Sequence, residues 1–192
     1  MRVPDGFVEV GDDGTVARFR RRFATTADDL WSALTDPERL ARWYTAVSGD
    51  LRPGGTVRMH WPDGQVQDIE VVTCRPPELL VTRWTLDDGP LGEVTVVLRP
   101  DGDGCVLDLE HRGLPPMQAA GYAAGWHAHL AGLSAHLTGS AADWDTEFAA
   151  ALPRYRAAAD AAGAAGGRGG TPVTSPGGTP GGGRPGRSAA DQ

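Results

Sequence analysis

A chain of 192 residues, 40% hydrophobic, has room for one domain with a real core. Its formal charge of −7 argues against nucleic acid, which wants a basic footprint, and weakly against anionic membrane surfaces. No apolar run approaches the roughly 20 residues that span a bilayer, and "MRVPDGFVEV" lacks the apolar stretch of a signal peptide, so a cytoplasmic protein is expected.

The first elements read as a hairpin, with "FVEV" and "TVARFRRRF" flanking "GDDG". In the second strand Ala17, Phe19, Arg21 and Phe23 share one face, and Arg18, Arg20 and Arg22 share the other. Two short helices follow. Thr26 caps the first, which buries Leu30, Trp31 and Leu34. Asp36 caps the second, with Pro37 at its first helical position and Leu40 and Trp43 turned inward. Five runs come next, "TVRMHW", "QVQDIEVVTC", "LLVTRWTL", "EVTVVLRP" and "CVLDLEH", each closed by a turn signal, which predicts an antiparallel meander. In them Val57, Met59 and Trp61 point one way, and Cys105, Leu107, Leu109 and His111 share a face.

A long helix is expected from about Pro115 to Leu137, stopped at Gly139. Tyr122, Trp126, Leu130, Leu133 and Leu137 form its apolar stripe, and Gly121 and Gly125 are expected to admit another backbone closely. Residues 140–162 read as a short packed helical extension, with Trp144, Phe148 and Leu152 on one stripe and an interruption at Pro153. Residues 163–192 are rich in Gly and Pro and read as a disordered tail. The absence of lysine and the heavy use of Ala, Gly and Pro fit a high-GC bacterial coding bias. Cys74 and Cys105 form no CxxC pair and read as free thiols.

This order is satisfied by a two-layer α+β domain in which a curved sheet grips the long helix. The pieces "RRFATTADDLWSALTDPERLARWY", "PGGTVRMHW", "CRPPELLVTRW", "CVLDLEHRGLP" and "GWHAHLAGLSAHL" resemble, in order and spacing, the START-like or SRPBCC helix-grip proteins. The branch resembled is the C-terminal domain of the activator of heat-shock-protein-90 ATPase. The resemblance covers about residues 15–138 and puts the domain at residues 1–139. It implies a helix-grip (START/Bet v 1-like) fold, with an antiparallel sheet of about six or seven strands and two short helices after the first. It also implies an apolar cavity that holds a small hydrophobic ligand. A polyketide cyclase or aromatase and a chaperone-activator-like interaction module are the alternatives. The whole activator has a further N-terminal domain with its own motif, which this sequence does not show.

The candidate ligand-binding residues are Arg21, Trp43, Met59, Trp61, Trp84, His111, Trp126, His129, Leu130 and Leu133. Core packing is the competing role for the tryptophans, Met59 and the leucines. Arg21 stands among apolar residues and needs a partner, either a ligand carboxylate or an acid such as Glu70 or Glu93. His127 and His129 diverge by about 200° around the helix and cannot share one metal. His129 and His136 flank the stripe at surface or boundary positions, with His129 at the cavity mouth. No nucleophile elbow, phosphate loop, dinucleotide fingerprint or clustered metal-ligand motif occurs, so no catalytic residue, metal or cofactor is expected. A cyclase would need Arg21, His60 and His111 to converge. A homodimer or a protein partner stays open.

Overall fold

The computed structural model describes residues 6–11, 14–85 and 92–166. Eight strands form one sheet, all neighbours antiparallel: β1 (Phe7–Gly11), β2 (Gly14–Phe23), β3 (Ala46–Gly49), β4 (Thr56–His60), β5 (Val66–Arg75), β6 (Leu79–Trp84), β7 (Gly92–Asp101) and β8 (Gly104–Leu114). The spatial order is β1-β2-β8-β7-β6-β5-β4-β3, and the curved sheet does not close. Helices α1 (Ala27–Thr35) and α2 (Pro37–Leu40) follow β2, and α3 (Ala119–Thr138) and α4 (Trp144–Gly166) follow β8.

The period-two patterns produce the inner face directly. In β7 Val94, Val96 and Leu98 are buried, and in β8 Cys105, Leu107, Leu109 and His111 are buried. Register shifts at Thr15/Ala17 in β2 and Val71/Thr73 in β5 add the local bends that a gripping sheet needs. On the outer face Arg18 pairs with Glu110, and Arg22 with Asp101 and Asp103. The Arg22 pairs are exposed and add little stability, while the Arg18–Glu110 pair is half-buried.

The strand count exceeds the six or seven expected because β3 joins the edge. Its four residues "AVSG" are too short and too exposed to show alternation. The caps occur where expected: Thr26 accepts from the Asp29 amide at 3.2 Å, and Asp36 accepts from the Arg39 amide at 3.0 Å. Arg39 then donates to the Asp29 carbonyl at 3.0 Å and carboxylate at 2.9 Å, tying α2 to α1.

Helix α3 starts at Ala119, four residues later than expected from Pro115. Pro116 disfavours helical geometry at Pro115, and a turn closes instead, with the Gln118 amide 2.9 Å from the Pro115 carbonyl. Its end is as read: Gly139 sits at φ 66° in the left-handed region. Helix α4 runs through Pro153 rather than breaking there. The carbonyl of Ala149, which loses its partner to the proline, is on an exposed residue where water can take it. Residues 163–166 of the expected tail close α4, and the rest of that tail lies outside the described residues. Tyr155 is buried, edge-on to Phe19 at 5.9 Å, and fixes α4 over the β1–β2 edge.

The glycines of α3 divide differently from expectation. A Cβ at Gly121 or Gly125 would meet nothing within 4 Å. It is Gly132 that admits a backbone, since a Cβ there would stand 3.1 Å from the Trp43 carbonyl oxygen. Gly121→Ala and Gly125→Ala are therefore each expected to raise stability by about 1 kcal/mol through helix propensity, while Gly132→Ala shows no such gain. Urea unfolding of the three variants measures the difference.

Candidate functional site

Sheet and helix enclose a narrow cavity of about 90 Å³. Strands β4 to β8 supply Val57, Met59, Ile69, Leu80, Trp84, Val94, Val96 and Leu109, and α3 supplies Trp126 and Leu130. Trp31 and Leu34 of α1, Leu40 of α2 and the following Trp43 and Tyr44 close one end. The lining includes the hydroxyl of Thr82, which already accepts from Trp84 Nε1 at 2.8 Å. Trp43 is held from two sides, by its Nε1 donating to the Ala33 carbonyl at 2.9 Å and by the close passage of Gly132.

A larger open groove of about 800 Å³ lies between α3 and α4, outside the cavity. Tyr44, Trp84 and Trp126 border both spaces and form an aromatic partition. Tyr44 and Trp126 are nearly parallel, 6° apart with centroids at 6.1 Å, and Trp84 meets Trp126 at 5.7 Å. Farther out His129 stands edge-on to Tyr44 at 4.4 Å and 5.6 Å from Trp144, which stacks on Phe148 at 4.8 Å. All six tryptophans of the chain border one or other of the two spaces.

The residues singled out from sequence thus separate into groups. Trp43, Met59, Trp84, Trp126 and Leu130 face the cavity, and Trp61 and His129 face the groove. Leu133 is buried in the core and borders neither space. His111 is 0% exposed beside the partition, accepting at Nδ1 from Trp126 Nε1 at 3.1 Å. Its proton therefore sits on Nε2, which is buried without a hydrogen-bond partner.

Arg21 is not brought to the cavity. It meets His127 on another side of α3, with Nη2 3.1 Å from Nδ1. A guanidinium can only donate, so Nδ1 accepts, and the ring proton lies at Nε2, 4.0 Å from Glu147. Arg154 Nη2 and the Tyr155 hydroxyl also approach that Nδ1, at 3.3 and 3.4 Å. Glu70 pairs instead with Arg83 at 2.9 Å, and Glu93 stands opposite Arg83 and Arg112 in the ladder. His60 contacts Ser48 at 3.0 Å on an exposed strand face. Arg21, His60 and His111 do not converge. Among the described residues no group of three or more His, Cys, Asp or Glu is placed to hold a metal, and Cys74 and Cys105 are both free.

Tyr44, Trp144 and Phe148 are the wall residues that reading the sequence for a site passed over. The signal available was "ARWY" for Tyr44 and the i, i+4 spacing of Trp144 and Phe148.

Burial pushes both His111 and His129 down to about 4. Their folded values lie below the ordinary value near 6.5, so the unfolded chain takes up protons that the folded one refuses. Stability is full above about pH 6.5 and falls as the pH drops toward 4. The expected loss by pH 5 is about 2 kcal/mol per histidine, and His129→Phe removes one share of it. Urea unfolding at pH 7 and pH 5 reads this above the main carboxylate range.

Residues 24–138 match the family described as Activator of Hsp90 ATPase homolog 1-like protein. No curated protein matches the chain. Among solved structures, the crystal structure of CalU16 from Micromonospora echinospora is 26% identical, with 80% of this chain and 95% of that one covered at a TM-score of 0.68. The solution structure of the protein encoded by gene BPP1335 of Bordetella parapertussis is 27% identical, with 81% and 94% covered at 0.65. DynU16, a protein in the dynemicin biosynthetic locus, is 29% identical at 0.61, and the match covers 68% of this chain and 49% of DynU16. With the sheet, the gripped helix and this match over more than half its length, the chain belongs to the Activator of Hsp90 ATPase homolog 1-like family, in the SRPBCC branch of helix-grip proteins.

Proposed function

We propose that the protein binds a small hydrophobic molecule between its sheet and α3, with residues 1–139 as the binding unit and α4 as a packed extension. The observation that carries this reading is the cavity wall. It is built mainly from aliphatic and aromatic side chains, and the Thr82 hydroxyl oxygen among them already accepts from Trp84. Such a lining rewards an apolar group and, the Tyr44 phenol apart, offers no acid or base to a reacting one. Two free cysteines suit the cytoplasm, where thiols stay reduced. One structural neighbour adds a biosynthetic context: DynU16 lies in the dynemicin biosynthetic locus.

Native mass spectrometry of the purified protein, followed by organic extraction, tests the reading. A stoichiometric hydrophobic adduct is expected in the wild type. Val96→Phe adds a ring to the cavity wall and is expected to remove the adduct at an overpacking cost of about 1–3 kcal/mol. An apo mass that persists after incubation with fatty acids, sterols and aromatic polyketides overturns it.

A further inference from the structure

The two spaces differ in what they can hold. At about 90 Å³ the cavity is smaller than the roughly 150 Å³ apolar cavities that take a benzene ring. The groove, at about 800 Å³, falls in the range of pockets for drug-sized molecules, roughly 300–1,000 Å³. The bulk of any sizeable guest therefore belongs in the groove, with at most a small end reaching past Tyr44, Trp84 and Trp126.

The groove is shaped for a flat guest. Its floor is Gly121 and Gly125, where a side chain would fit but none is present. The missing side chains leave a trough along α3, at a cost in helix propensity that nothing else in the packing repays. The wall facing this floor is Trp144 and Phe148, stacked on each other, with Trp144 40% exposed. That wall belongs to α4, which lies wholly beyond the segment matched to the family. The groove is thus built partly by the matched segment and partly by a helix outside it.

Its charge is one-sided. Arg156, at the rim, is the one formally charged residue in the lining at neutral pH. Among the described residues it has no ion pair and no hydrogen bond, although the chain carries a net charge of −7. A solitary cation on the edge of an aromatic trough selects anions and repels cations.

We infer that the groove between α3 and α4 binds a flat aromatic monoanion, its fused rings lying over Gly121 and Gly125 against Trp144, and its acid group at Arg156. This rests on the proposal that the protein takes a hydrophobic ligand, specifies that ligand's class, and moves its bulk from the cavity between the sheet and α3 to the groove outside it.

Equilibrium dialysis at low ionic strength with anthracene-2-carboxylate and its neutral carboxamide tests it. The wild type is expected to prefer the carboxylate by about 3-fold, the size of an exposed ion pair. Arg156→Gln abolishes that preference and leaves the carboxamide unchanged. Gly125→Leu fills the trough and weakens both probes by about tenfold or more. Gly121→Leu serves the same purpose where thermal unfolding shows Gly125→Leu to be misfolded. Equal affinity for the two probes in the wild type overturns the inference, as does binding that neither glycine variant weakens. Binding lost in Val96→Phe but kept in the glycine variants overturns the groove while leaving the cavity proposal standing. Binding lost in the glycine variants but kept in Val96→Phe supports the groove even where no adduct is found in the cavity.

Discussion

The hydrogen bond from Trp126 to His111 is the fixed point of the interior. It joins the middle of α3 to the inner face of β8, and it sets the plane of the indole that borders both cavity and groove. The bond requires a neutral imidazole with its proton on the far nitrogen, and full burial of His111 enforces that state. It leaves that nitrogen without a partner, a cost of about 1–3 kcal/mol. The rest of the partition is arranged around this ring: Tyr44 lies parallel to it, Trp84 leans on it, and His129 meets both Tyr44 and Trp126 edge-on.

Much of the fold was legible because its signals are local. Alternation in "EVTVVLRP" and "CVLDLEH" is a property of successive residues, and it mapped directly onto buried and exposed faces. The caps at Thr26, Asp36 and Gly139 are equally local. What escaped depends on context. Strand β3 exists because β4 offers it an edge, not because "AVSG" favours extension. The late start of α3 follows from one proline acting on another, and the passage of α4 through Pro153 depends on which side faces water.

The lining of the candidate site was legible in its apolar half. A stripe of Trp126, Leu130 and Leu133 on a helix must bury itself, and the only large surface available was the sheet. The polar half was not, because a charged side chain's destination is decided by elements distant in sequence. Arg21 sits on the inner face as read, yet it reaches His127 at the seam with α4 instead of the cavity. Likewise the pattern around Gly121, Gly125 and Gly132 shows three small residues on a helix without saying which one faces a backbone and which two face a void.

The gathering of all six tryptophans around two adjoining spaces has a spectroscopic consequence. With ring centroids of neighbouring residues about 6 Å apart, as for Trp84 and Trp126, excitation absorbed by one indole passes readily to the next. The intrinsic ultraviolet emission of this protein is then a collective property of the cavity and groove walls, with no tryptophan elsewhere to dilute it. A guest entering either space would meet several of these indoles, so the molecule carries its own optical probe of both spaces.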